Sequence, residues 1–470
     1  MRPSFLWLLL ALTLVRELFF IAVVPPWQGP DELGHFEYVA LTYSLGRLPD
    51  SSNTEIVPEL TRAINTSAEE HRFEMFNAFV RRVGIRSYSE KDPPVLIPGR
   101  EAGYQRPAYY LLLLPIYALF KDRGIITQYY ALAIASSLLA VVTVLAAWMT
   151  ARLLFQDNAF VQMLVPVLVA FWPTQTYLMS RLNNDNLATA VAAWTMWLIA
   201  ALLKSGFNWR KGFVLGGLTL LAVFAKVTAL FLLPLIALAL VLNLANRRGE
   251  RIRRATGITV AAVVAFGASL MVCAIVIPAV AGVLMKATVA LLWPGRIRNS
   301  LEAMFVILAT GQQWQSERLA ANWQRLIILT KTMWAGYGWG SVLLPLGVYW
   351  SFGIGMVLAT IGLLRAALRY LTRSNHYPIE QGQTLALFAL AVPLACFPVL
   401  AHMITAPFAT PLHGRILLTL LIPVSIFLAA GFSQLLPPGW HKPAVQAAMV
   451  MMLILDTVGM TLTLLPHYYG

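Results

Sequence analysis

Two carboxylates and an imidazole leave the first membrane-length apolar run together, in Pro30-Asp31-Glu32-Leu33-Gly34-His35-Phe36. His35 lies four residues after Asp31 and three after Glu32, so on a helix it shares a face with both. A carboxylate in such a place can take a proton from an attacking hydroxyl, or bind a divalent cation with its neighbour. Asp31 is the first choice for the base. Glu32 is the second candidate catalytic residue, and Glu32 and His35 would orient the base or bind substrate. The plainer alternative is local: a helix starting near Pro30 favours proline and acids in its first turn whatever the chemistry.

Three further clusters sit at comparable boundaries. Asn183-Asn184-Asp185-Asn186 opens an apolar span. There Asn184 and Asp185 can face the same cavity as Asp31 and hold a sugar hydroxyl or, jointly with Asp31, a Mg or Mn ion; Asn and Asp are also good helix N-caps. Lys226 interrupts a long apolar stretch at a tight turn between two short spans. An ammonium costs about 2.5–3.5 kcal/mol at the centre of a spanning helix and less toward its edge, so Lys226 either seeks an anion such as a lipid phosphate or snorkels to the headgroups. His413-Gly414-Arg415 starts another span, where Arg415 can clamp a phosphate through two parallel N–H donors or anchor to headgroups. Gln105 and Arg106, in Tyr104-Gln105-Arg106-Pro107-Ala108-Tyr109-Tyr110, complete the candidate substrate-binding set. Trp334-Ala335-Gly336-Tyr337-Gly338-Trp339 leads into a further span in the same way.

The elements that must hold these groups are membrane helices. The chain is 59% hydrophobic and 12% charged, with mean hydropathy +0.68, and apolar runs of about 20 residues recur along it. Only helices satisfy their own backbone in lipid without closing into a barrel, and no alternating barrel pattern is present. The expectation is an all-α polytopic membrane protein, a single integral domain over residues 1–470. Its eleven spans fall near 5–24, 125–151, 159–180, 187–203, 212–225, 227–245, 256–280, 339–364, 383–403, 414–432 and 443–465. The first run lacks a small-residue cleavage site and reads as a retained span.

The net charge of +14 does not point to nucleic acid, because the cations sit in short loops between spans. With the N-terminus cytoplasmic and the short run 107–120 re-entrant or interfacial, the inner loops collect Arg152, Lys204, Arg210, Lys211, the run Arg247 to Arg254, Arg365, Arg369, Arg373 and Lys442. The C-terminus and every candidate cluster then face outward. Two outer segments are long. Residues 25–120 hold 12 of the 21 acids, with helical patterns over Asp31 to Leu45 and Pro58 to Val83 that predict amphipathic juxtamembrane helices. Residues 281–338 carry Trp293, Trp314, Trp323 and Trp334, a composition suited to the headgroup layer. Cys273 and Cys396 lie in apolar runs and imply no disulfide framework. Arg16, Glu17 and Asp456 lie inside spans and predict interhelical polar contacts. Asn65-Thr66-Ser67 fits a glycosylation acceptor, a common chance match. No Walker loop, GxGxxG or paired CxxC occurs, which argues against an ATP-driven pump or a soluble nucleotide-sugar enzyme.

The order of these motifs resembles the GT-C superfamily of membrane glycosyltransferases. More narrowly, Pro30 to Phe36, Asn184-Asp185-Asn186-Leu187, Gly336-Tyr337-Gly338-Trp339 and Gly414-Arg415 resemble the bacterial DUF2142 family within it. The resemblance runs over nearly the whole chain. It departs at Arg106-Pro107-Ala108-Tyr109-Tyr110, where Pro-Pro before Leu-Tyr-Tyr is usual, and at Gly414-Arg415-Ile416, where Gly-Arg-Tyr is usual. What it implies is a GT-C-like bundle in the bacterial cytoplasmic membrane, with Asp31 as base or metal ligand, Glu32 beside it, and the family's Asn-Asp motif falling on Asp185. The implied reaction moves a sugar from a polyprenyl-phosphate-linked donor to a hydroxyl of a glycan, lipid or protein acceptor. A transporter or flippase of lipid-linked sugars or polysaccharide is the alternative, using the same groups only to bind a headgroup.

Overall fold

The structure, a computed structural model, describes residues 3–49, 105–247, 316–338, 340, 342–372, 378–405 and 413–470. Helix α1 (Pro3–Val23) is followed by α2 (Glu32–Leu45), α3 (Ala108–Phe120), α4 (Ile125–Leu154), α5 (Ala159–Ala170) and α6 (Pro173–Met179). Then come α7 (Asn184–Ser205), α8 (Trp209–Ala225), a 3-10 turn (Val227–Ala229) and α9 (Leu232–Arg247). After α10 (Ser316–Ala335), a two-stranded hairpin, β1 (Gly336–Tyr337) and β2 (Val342–Leu343), leads to α11 (Leu346–Thr372) and α12 (Ile379–Thr405). A 3-10 segment (Gly414–Leu420) runs into α13 (Leu421–Leu435). The chain closes with α14 (His441–Gly459), a π-helical turn (Met460–Leu464) and α15 (Leu465–Tyr469).

Among the described residues, eight helices are long and apolar enough to cross a membrane, or nine if the bent pair α5–α6 is one span. The chain is therefore an all-α polytopic membrane protein in its described part. The span expected near 159–180 is broken: α5 and α6 meet at 51°, where Pro173 starts a new helix with no N–H for the old one. The span expected near 212–225 is the 17-residue helix α8. The one expected to start at 339 starts at Leu346 instead, because Gly336 to Leu343 folds back as the hairpin. The expected span 256–280, the pattern over Pro58 to Val83, Asn65 to Ser67, Cys273, Trp293 and Trp314 lie outside the described residues.

Helices pack through small residues where two backbones approach. A Cβ built on Gly431 of α13 would fall on the Ala359 carbonyl of α11, and one on Gly362 would fall on the Gly431 carbonyl. Such contacts let spanning helices gain van der Waals contact where lipid removes the hydrophobic drive. Within the spans, Arg16 of α1 donates to Asp456 of α14 at 2.5 Å and to the Ala170 carbonyl, and lies over the Phe171 ring. The expected interhelical polar contact is thus present for Arg16 and Asp456.

The short helix α3 does not run the length of its neighbour. Tyr109, at its start, touches Ser136 of α4 at 2.8 Å, whereas Gln128 at the start of α4 caps the carbonyls of Lys121 and Arg123 after α3 ends. Therefore α3 lies beside only the first half of α4, which continues past it to Leu154. Helix α2 stacks against α3 through Tyr38 on Tyr110 and Phe36 against Tyr117. Its acids Glu32 and Glu37 are fully buried, so α2 presents no wet acidic face of the kind an amphipathic surface helix would have.

Among the described residues, chain alternation brings Lys204, Arg365 and Arg369 to one end of the bundle. There Lys204 reaches the Leu153 carbonyl, and Arg365 and Arg369 reach Gln434. At the other end Tyr469, the penultimate residue, donates to the Val23 carbonyl at the close of α1. The candidate site lies at this second end.

Candidate functional site

Asp31 is the N-cap residue of α2, yet its side chain caps nothing. Its backbone sits in the left-handed region at φ 59, ψ 10, which residues bearing a Cβ rarely adopt. The turn aims the carboxylate away from its own helix. Arg415 Nη2 donates to Asp31 Oδ2 at 2.5 Å, and Arg415 Nε stands 3.7 Å from Asp185 Oδ2. Lys226 Nζ lies 2.7 Å from the same Asp185 oxygen. Two acids and two bases, contributed by the turn before α2, the start of α7, the turn after α8 and the start of the segment before α13, form one chain of alternating charge. Asp31 is its most accessible member, with 26% of its side chain open.

Local sequence explains each placement. Asn183 is the N-cap of α7 and accepts from Asp185 N at 2.8 Å, so the capping falls to Asn183 and the Asp185 side chain is released toward Lys226. Gly414 sits where the segment crosses α10: a Cβ there would fall on the Met333 nitrogen and the Leu329 carbonyl. Gly414 N donates to Thr332 Oγ1 at 2.7 Å and anchors the start of this segment to α10. Lys226 lies between α8 and the 3-10 turn. It pairs with Asp185 rather than reaching out to headgroups, and Arg415 likewise turns inward.

The histidines flank this chain. His413 Nδ1 accepts from Arg415 N at 3.1 Å, which puts the proton of the neutral ring on Nε2. His35 Nδ1 shares a hydrogen bond of 2.8 Å with the Tyr110 hydroxyl. His413 Nε2, His35 Nε2 and Asn184 Oδ1 are buried atoms with no hydrogen-bond partner among the described residues. Buried polar atoms are normally satisfied, so these are the positions a polar ligand would serve. Asn184 Nδ2 donates to Gln105 Oε1 at 2.8 Å. Arg106 does not join the carboxylates: its Nη1 donates to the Val223 carbonyl near the end of α8.

Electrostatics follow from burial and neighbours. Burial pushes the Asp31 carboxyl up, but the charges of Arg415, His35 and Lys226 together outweigh it and hold it at about 2. Burial drives His35 down to about 3 against the pull of Asp31. His413 falls to about 3 through burial and then the Arg415 charge beside it. Burial also lowers Lys226, opposed by Asp185. Both rings are thus neutral near pH 7 and act as hydrogen-bonding groups.

Glu32 belongs to a different arrangement. It is fully buried, accepting from Gly29 N at 2.9 Å, Tyr129 Oη at 2.6 Å and Leu182 N at 3.0 Å. Arg181, also fully buried, reaches Tyr129 Oη and the carbonyls of Phe20 and Val24. Sequence reading passed over Arg181 and Tyr129. The available signal was a cation two residues before Asn183-Asn184-Asp185-Asn186, at the edge of an apolar run, where a buried charge demands internal acceptors.

A divalent cation does not fit this donor set. Asp31 and Asp185 are each paired with a cation, and the Arg415 guanidinium is within 3.7 Å of both. Among the described residues no group of three or more His, Cys, Asp or Glu side chains is placed to hold a metal. No protein-family model matches the chain, and no curated protein matches it in sequence.

Proposed function

We propose that the chain is a GT-C-type glycosyltransferase that moves a sugar from a polyprenyl-phosphate donor to an acceptor hydroxyl at the outer face of a bacterial cytoplasmic membrane. The observation that carries this reading is the convergence of Asp31, Arg415, Asp185 and Lys226 at one end of a spanning bundle. The opposite end holds Lys204, Arg365 and Arg369, which supports an N-terminus and basic loops inside and the site outside. On this reading the chain has eleven spans, and α3 is an interfacial helix.

In the reaction, the acceptor oxygen attacks the anomeric carbon as the bond from that carbon to the phosphate oxygen breaks. The acceptor proton passes to Asp31. The phosphate leaves with the bonding electron pair, and its growing charge is met by Arg415 and Lys226. His413 Nε2–H donates to a phosphate or sugar oxygen. Arg415 first has to turn from Asp31 to the phosphate, because a carboxylate held at about 2 is a weak base. Phosphate binding therefore frees the base that the chemistry needs.

The test is transfer from labelled polyprenyl-phosphate sugars by purified protein, comparing wild type with Asp31→Asn. Loss of a positioned base lowers rates by about 10²–10⁴-fold. Undiminished transfer by the variant removes Asp31 from this role. Movement of the lipid-linked sugar across vesicles without transfer would replace the reading by a flippase. Topology is checked separately by labelling Leu48→Cys, at the site end, and Trp209→Cys, at the cation end, in intact cells. Only the first is expected to react with an impermeant reagent.

A further inference from the structure

Glu32, next to the proposed base, is beyond the reach of substrate. Both of its oxygens are occupied and the residue has 0% exposure. All three of its hydrogen bonds are received. Gly29 and Leu182 offer backbone N–H groups, and Tyr129 accepts Arg181 Nη1 at 2.9 Å, so the tyrosine proton must point to Glu32. A carboxylate that receives three donors and is closed off from solvent serves as a fixed acceptor inside the frame.

Its partners lie on both sides of the site. Gly29 is two residues before Asp31, and Leu182 is three residues before Asp185. The same two segments are joined again by Tyr177 Oη to the Gln28 carbonyl at 3.0 Å, by Asn183 Nδ2 to the Pro30 carbonyl at 3.0 Å, and by Arg181 to Val24. Arg181 also offsets the negative carbonyl end of α1. Such fastening has a local cause, since the left-handed backbone of Asp31 persists only where its surroundings hold it.

We propose that Glu32 is a positioning residue whose carboxylate ties the Asp31 turn to the start of the Asp185 helix, keeping the two acids at the spacing Arg415 straddles. Its importance for transfer rests on the reading of Asp31 given above, whereas its tie between the two segments does not. The tie predicts that segments about 150 residues apart loosen together when Glu32 is changed.

The experiment uses the full chain in lipid nanodiscs and hydrogen–deuterium exchange of wild type and Glu32→Gln. Gln places an N–H against a donor whichever way its amide is turned, because both carboxylate oxygens accept. Exchange is expected to quicken in peptides covering 24–35 and 178–188 and to stay unchanged over 430–445. Transfer per folded molecule is expected to fall at least tenfold while the acid limb of the pH profile keeps its position, since Asp31 still carries the proton. Unchanged exchange over 178–188, or loss of the acid limb, would overturn the proposal. If Glu32→Gln fails to fold, Tyr129→Phe removes one donor and leaves the carboxylate. It is expected to loosen the same two peptides to a smaller extent, and an unchanged pattern there would also overturn the proposal. Wild type that never transfers sugar, with the exchange pattern as expected, would instead remove the transferase reading and leave the positioning role in place.

Discussion

Arg415 closes on Asp31 at 2.5 Å across 384 residues of chain, and its Nε faces Asp185 at 3.7 Å. A planar guanidinium addresses the two carboxylates through N–H groups fixed in one rigid plane, whereas an ammonium offers rotatable donors with no such preset geometry. On the proposed function, Arg415 would have two roles that exclude each other in time, masking Asp31 before phosphate arrives and binding phosphate afterwards.

Arg415→Ala should therefore change both rate and pH dependence. Loss of one preorganised donor to a developing oxyanion costs about 10²–10³-fold in kcat. The Asp31 carboxyl loses the largest of the charges that offset its burial, so its pKa rises from about 2. The acid limb of the transfer profile should move to higher pH. An acid limb that stays in place would mean that another group carries the proton. Arg415→Lys should keep charge but not the fork, giving a smaller rate loss and little movement of the limb.

Metal removal makes a second prediction. With Asp31 and Asp185 already paired to cations, a divalent ion would have to displace Arg415 to bind both. Transfer should persist after exhaustive chelation and show no stimulation on returning Mg or Mn. Recovery by added metal after loss on chelation would show that the carboxylates rearrange to serve as ligands.

The pH dependence of stability follows from the neutral rings. His35 and His413 hold pKa values of about 3 in the folded chain against an ordinary 6.5. Between those values the unfolded chain binds protons that the folded chain does not, so stability falls as pH drops from 6.5 toward 3. Asp31 adds a later loss, as pH falls from 3.8 through about 2. The Tm in detergent should decline steadily below pH 6.5, and His413→Gln should flatten part of that decline. A flat Tm between pH 7 and pH 5 would mean that the rings are exposed or already charged.

The four charged residues were legible because an ionised group at the edge of an apolar run is costly and must be answered by something. Asp31, Asp185, Lys226 and Arg415 all stood out for that reason. Their answers were not legible, since each pairing spans distant parts of the chain and depends on how helices pack. Glu32 shows the limit most clearly. In sequence it is the twin of Asp31, but one residue of helical rotation turns it from the open side to the buried frame of Tyr129 and Arg181. The apolar runs were legible as helices. The bend before Pro173 and the hairpin over Gly336 to Leu343 were not, because hydropathy averaged over a span passes across a single proline break and a short glycine-rich turn.

Arg16 and Asp456 offer a test of whether charges inside the bundle serve assembly or passage. The pair is 2.5 Å apart with both side chains about nine-tenths buried, and Arg16 also holds the Ala170 carbonyl at the end of α5. Removing one partner of a buried pair strands the other and costs about 3–5 kcal/mol, whereas replacing both by apolar residues is often neutral. Asp456→Leu should therefore lower the Tm sharply. Arg16→Leu combined with Asp456→Leu should recover most of that loss and keep sugar transfer near wild type, because the pair lies apart from the Asp31 cluster. A double variant that is as stable as wild type but inactive would mean that this pair takes part in function, as a substrate or ion pathway through the bundle requires.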